Sequence, residues 1–108
     1  MTNNIQDLHR AIDAFLTAYS CYIAAIDYVE DKEIKLHLID KALKWFGIYG
    51  EYTKYAYYVR AASALSALRT AIEEDEELED WFLIEKEREI QKALIDYILD
   101  MVKKREQK

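Results

Sequence analysis

At 108 residues, 52% of them apolar, the chain is long enough for one hydrophobic core, since a protein of this size buries roughly 65% of its extended surface. Charged residues make up 33% and are spread along the whole chain, which excludes an uninterrupted apolar run of about 18 residues and so a membrane span. The net charge of −6 argues against nonspecific binding to nucleic acid.

Proline is absent and the only glycines are Gly47 and Gly50. That punctuation is too sparse for strands and hairpins, so an all-α fold is expected. The predicted architecture is a single-domain antiparallel four-helix bundle over residues 1–108, with helices at about 4–30, 32–46, 51–72 and 79–104, because short turns favour antiparallel neighbours. The N-terminus lacks the basic start and apolar run of a secretory signal, and the single Cys21 cannot staple its own chain. Both point to a cytoplasmic protein. Asparagine occurs only at Asn3 and Asn4 while Lys, Glu, Ile and Tyr are plentiful, a thermophile-like composition.

In the first helix the large residues Ile5, Leu8, Ile12, Phe15, Tyr19, Tyr22, Ile26 and Val29 alternate steps of three and four, a spacing that only a helix places on one side. Thr2, Asn3 or Asn4 can supply its N-cap. Beside the large stripe runs a small one, Ala11, Ala14, Ala18, Cys21 and Ala25, and Asp13 is the only charge between Ala11 and Ile26. A helix apolar on nearly every side is buried between neighbours. Ala14, Thr17, Ala18, Cys21 and Ala25 therefore form a candidate oligomer face, the competing outlet being a close approach of the third helix.

The second helix is expected to start after Asp31, which can cap it, and to carry Ile34, Leu38, Ala42 and Trp45 beside Leu36, Ile39, Leu43 and Phe46. Its expected end is at Gly47 or Gly50, either of which can supply a left-handed closing residue. The third helix has the seam Tyr58, Ala61, Leu65, Leu68 and Ile72. Seven acids crowd the eight positions Glu73 to Asp80, and carboxylates are favoured at a helix start, so this run is read as the turn into the fourth helix and its first turn. That helix continues through Leu83, Ile90, Leu94, Tyr97 and Met101, with Glu87 as a discordant charge in the seam, and ends on Lys103, Lys104 and Arg105, the favourable sign.

Half of the fourteen aromatics lie between Trp45 and Tyr58. Trp45, Tyr49, Tyr52, Lys54, Tyr55, Tyr57, Tyr58 and Arg60 form a candidate partner-binding region, because at 100° per residue the tyrosines cannot all face one core. Within residues 41–72 five basic residues face one acid, and cations interleaved with rings suit single-stranded nucleic acid. Packing of the rings at the bundle end is the plainer alternative. Glu73, Glu74, Asp75, Glu76, Glu77, Glu79 and Asp80 form an acidic patch within a segment, 73–89, of ten acids and two bases. It can recruit a basic partner, mimic nucleic acid, or simply be solvated.

Catalytic constellations are poor. His9 and His37 are the only histidines, a helical di-iron centre needs two Glu-x-x-His pairs, and no glycine-rich phosphate loop or Cys-x-x-Cys occurs. No catalytic residue, metal or cofactor is expected. The segment Gly50 to Ala62, "GEYTKYAYYVRAA", resembles the Gly-x-Tyr start of the second helix in tetratricopeptide repeats and microtubule-interacting-and-trafficking domains, which would imply peptide binding in a helical groove. The alanine expected three residues after that tyrosine is Tyr55 here, and no second copy of the pattern occurs. The expectation is a non-enzymatic interaction protein (subunit, adaptor or regulator) that self-associates as a homodimer or higher and offers helix faces to a protein partner. A nucleic-acid-binding or nucleic-acid-mimicking regulator is the alternative, and no membrane partner is expected.

Overall fold

A computed structural model describes residues 4–106; Thr2 and Asn3, two of the residues expected to cap the first helix, lie outside them. Four helices follow one another: α1 (Asn4–Ile23), α2 (Lys32–Tyr52), α3 (Tyr55–Glu73) and α4 (Asp80–Glu106), with a π-helical turn, Ala24–Tyr28, extending α1. No strand occurs among the described residues. Consecutive helices pack against each other as antiparallel neighbours, in a bundle 50 Å long and 23 × 20 Å across. This is the all-α four-helix bundle that the missing prolines and glycines imply.

α1 lies closest to α2 rather than to α3, and small side chains make that approach possible. Ala11, Ala14, Ala18 and Ala25 are fully or almost fully buried within the chain, whereas Ile5 at the start of the large stripe is half exposed. The small stripe is therefore core, and the expected oligomer face is corrected: Ala14, Ala18 and Ala25 are covered by the protein itself, Cys21 is half-buried and only Thr17 is exposed. The hydroxyl of Thr17 donates back to the Asp13 carbonyl at 2.8 Å. Where α1 widens into its π turn, Lys35 Nζ donates to the Ala25 carbonyl at 2.7 Å.

Asp31 caps α2 as expected, its Oδ1 accepting from the Ile34 N–H at 3.1 Å. The far end of α2 differs from the expectation. Both glycines lie inside the helix with negative φ, and the chain breaks only at Thr53 and Lys54. Gly50 is needed for space: a Cβ there would stand 2.8 Å from Tyr58 Cβ, while one at Gly47 would meet only a ring edge at 3.9 Å. The tripeptide Gly50–Tyr52 thus closes a helix instead of opening one, opposite to the placement in the two families it resembles.

α3 ends in a Schellman turn. The Glu76 N–H reaches the Ala71 carbonyl at 2.9 Å and the Asp75 N–H reaches Ile72 at 3.1 Å, with Asp75 in the left-handed position at φ 56° that glycine usually fills. α4 then runs unbroken through Glu87.

The core is built on a chain of edge-to-face rings that visits every helix. Phe15 of α1 meets Phe46 and Tyr49 of α2, each at 5.2 Å between centroids. Tyr49 meets Tyr97 of α4 at 5.9 Å, and Tyr97 meets Tyr57 of α3 at 5.7 Å. Such contacts add about 0.5–1.5 kcal/mol each beyond the burial of their area.

Candidate functional site

The α2–α3 corner gathers the aromatics, and the structure divides them. Thr53 closes α2 by donating from Oγ1 to the Tyr49 carbonyl at 2.9 Å, and Lys54 occupies the N-cap of α3. Tyr49 and Tyr57 point inwards: Tyr49 is fully buried, its hydroxyl donating to the Ala93 carbonyl of α4 at 2.8 Å, and Tyr57 donates to Asp100 of α4. Tyr58 is half-buried over Gly50, and Trp45 is half-buried against the core. Tyr52, Lys54 and Tyr55 remain on the surface, Tyr55 leaning on Tyr58 at 5.6 Å. The eight residues are therefore partly core and partly surface rather than one continuous patch.

A cleft of about 170 Å³ opens at this corner, lined by Tyr52, Thr53, Tyr57, Tyr97 and Met101 and flanked by two acids, Asp7 and Asp100, and two bases, Lys54 and Lys104. Its charges balance. Burial raises the phenol pKa of Tyr97, as it does for Tyr19, Tyr22 and Tyr49, so these rings stay neutral at physiological pH. Such a lining packs apolar surface without presenting a poised acid or base.

The cations of residues 41–72 are drawn into the fold in two places. Arg60 pairs with Asp96 of α4. Arg69 bridges Asp40 of α2 at 2.7 Å and Glu73 at 2.6 Å, and its hydrogen bond holds the Asp40 carboxyl below the usual range. The acidic patch is mostly connection: Glu74 to Glu79 form the α3–α4 turn, and only Asp80 begins α4. Lys32 Nζ partly balances it, pairing with Asp75 and donating to the Glu73 carbonyl, at 3.2 and 2.9 Å; Glu79 accepts from the Trp81 indole. His9 and His37 are both exposed, and no group of three or more His, Cys, Asp or Glu is placed to hold a metal among the described residues.

The largest unpartnered feature lies elsewhere, on the outer face of α4. Trp81, Ile84, Ile95, Leu99 and Val102 are exposed by between 45% and 61%. At 100° per residue these five and Arg88 fall within about a 60° sector, directly opposite the buried Ile90, Ala93 and Tyr97. Beside the N-terminal half of this face lies an open groove of about 660 Å³, walled by Trp81, Ile84, Glu85, Arg88, Glu89 and Lys92 with Arg60 of α3, so that its charge is mixed. The sequence carries the signal for this face, a second run of three-four spacings offset from the seam.

No family model matches the chain, and no curated protein or solved structure is significantly similar to it.

Proposed function

We propose that the protein is a non-enzymatic helical interaction protein, a subunit, adaptor or regulator, that joins protein surfaces through its exposed helix faces, including a second copy of itself. The observation that carries this reading is two exposed apolar patches on one face of α4, Trp81 with Ile84 and Ile95 with Leu99 and Val102, turned away from the core and separated by Arg88, Gln91 and Lys92. Large apolar side chains clustered on an exposed face rimmed by polar residues mark sites of interaction. No described helix is long and apolar enough to cross a membrane, and a cytoplasmic setting rests on the lone Cys21.

Two measurements test the reading. The full chain, immobilised and challenged with extract, retains protein that an Ile95→Glu variant does not. Single-stranded oligonucleotide at low salt is the contrasting probe: binding that weakens steeply with salt, and is lost on Lys54→Glu with Arg60→Glu, would replace this reading with nucleic-acid recognition. The commitment of Arg60 and Arg69 to carboxylates of neighbouring helices, and the burial of Tyr49 and Tyr57, weigh against that outcome.

A further inference from the structure

We infer that the outer face of α4 is the contact between two copies of this chain, with the two α4 helices antiparallel and the two-fold axis passing between Gln91 and Lys92. The inference rests on the reading of the protein as an interaction protein and names the occupant of its face.

The first support is the order of residues along the stripe. Trp81 and Val102 are equidistant from the point between Gln91 and Lys92; so are Ile84 and Leu99, and so are Arg88 and Ile95. An antiparallel two-fold pairing therefore sets Trp81 of one copy against Val102 of the other and Ile84 against Leu99, so that no large apolar residue of the stripe meets empty space. A two-fold contact must be self-complementary in this way. Polar residues fall at the centre: Lys92 of each copy lies beside the axis in a groove that Glu85 and Glu89 also line, and Gln91 stays with Tyr19 and Glu87 of its own copy.

Shape gives the second support. The groove lies beside the N-terminal half of the face, between Trp81 and Lys92, while Ile95, Leu99 and Val102 stand half exposed on the C-terminal half. The two-fold brings the groove of each copy onto the apolar side chains of the other.

Charge selects the direction. Glu79 and Asp80 precede the stripe and Lys103 and Lys104 follow it. Equidistance from the same point brings Asp80 level with Lys103 of the second copy, and so the acidic turn of each copy to the basic end of the other's α4. Parallel pairing would set acids on acids and bases on bases, and like charges across an interface are strongly disfavoured.

The helix stripe alone is smaller than the ~800 Å² per partner of a standard interface. Leu16 of α1, half exposed, widens it: it lies one turn before Tyr19, which meets Gln91, and so stands at the level of Leu94 and Ile95. An interface of this size is expected to be reversible, with dissociation in the micromolar range, where ~1 μM corresponds to about 8 kcal/mol.

Sedimentation equilibrium of the full chain from ~1 to ~500 μM, a range spanning that dissociation constant, tests the pairing. The expected mass rises from 12.8 kDa to twice that value. Ile95→Lys, at an exposed position that the pairing sets against Arg88 of the second copy, abolishes the rise and leaves the helical circular dichroism unchanged; Leu99→Ser weakens it in the same direction. In a Cys21→Ala background, oxidation links Lys92→Cys to itself, because that residue lies beside the axis. Leu99→Cys links to Ile84→Cys when the two variants are mixed, and not to itself. A dimer indifferent to Ile95→Lys, or one in which Leu99→Cys links to itself and Lys92→Cys does not, overturns the inference and leaves self-association standing. A monomer throughout the range also overturns it; the wider reading then depends on whether another protein is captured through the same face, and falls if nothing is.

Discussion

The Tyr19 hydroxyl of α1 donates a hydrogen bond of 2.9 Å to Glu87 Oε2 of α4, and this contact accounts for a carboxylate lying in the seam of an otherwise apolar helix face. Gln91 closes the triangle, its Nε2 donating to the Tyr19 hydroxyl at 3.0 Å and to Glu87 at 3.1 Å. α1 and α4 are the first and last helices of the bundle, and the triangle ties them together. A hydrogen bond to a charged group contributes about 1.5–3 kcal/mol when buried, and partial exposure reduces that here. Tyr19→Phe is therefore expected to destabilise the protein by about 1 kcal/mol in urea unfolding. Glu87→Leu alone takes the acceptor from the hydroxyl and leaves it only the Gln91 amide, whereas Tyr19→Phe with Glu87→Leu replaces both partners by apolar groups and approaches wild-type stability. Equal losses in the double variant and in the sum of the singles would show that the two residues do not interact.

Gly47 and Gly50 separate under substitution to alanine. A methyl at Gly47 enters ordinary contact with the Tyr58 ring at 3.9 Å, and glycine inside a helix is less stable than alanine by about 0.5–1 kcal/mol. Gly47→Ala is expected to raise Tm. Gly50→Ala places a methyl 2.8 Å from Tyr58 Cβ, an atom fixed to the α3 backbone that cannot swing away, so the two helices must part. Its expected effect is destabilisation by about 1–3 kcal/mol, typical of overpacking. Stabilisation by both substitutions would show that α2 and α3 are not held this close.

The same pair of glycines shows how far the sequence can be read. Their scarcity betrays the helical class and the number of helices, because backbone freedom is a local property. Their role is not local. A glycine two residues before a helix end has the same letter whether it turns the chain or admits Tyr58 from another helix. The alanine stripe of α1 poses the same problem: periodicity puts Ala14, Ala18 and Ala25 on one face, but only the packing reveals that α2 covers it. The aromatic region divides for a third reason. Tyr57 and Tyr58 are adjacent, and the seam is shifted by one residue from the expected Tyr58 because Tyr57 alone reaches Asp100 and Tyr97. Glu87 is discordant within its own helix because its partner, Tyr19, lies 68 residues away in the sequence.

Asp75 occupies the left-handed position of the Schellman turn after α3 at φ 56°, a conformation in which a Cβ is unfavourable by roughly 1–2 kcal/mol, less for Asp than for most residues. Its ion pair with Lys32 is exposed on both sides and contributes little. Asp75→Gly removes the steric term and one acid from a helix C-terminus, where negative charge is disfavoured. A gain of about 0.5–1 kcal/mol is expected, read as a higher urea midpoint at unchanged m-value. Asp75→Val, β-branched at positive φ, should lower the midpoint. A fall with glycine as well would show that the Lys32 contact outweighs the backbone.

Burial first, and nearby negative charge second, raises the pKa of Tyr22 above that of a free phenol, and Tyr19, Tyr49 and Tyr97 shift the same way. A group whose pKa is higher in the folded state contributes its full stability below the unfolded value, about 10 for tyrosine. Above it the unfolded chain ionises first, and stability falls as pH climbs towards the folded value. Urea midpoints should hold up to about pH 10 and drop beyond it, with the tyrosinate absorbance of these rings appearing together with loss of helical circular dichroism. Tyr22→Phe removes one such group and should lessen the decline by up to about 1.4 kcal/mol per pH unit. An unchanged slope in that variant would mean that the Tyr22 phenol ionises as readily inside the bundle as outside it.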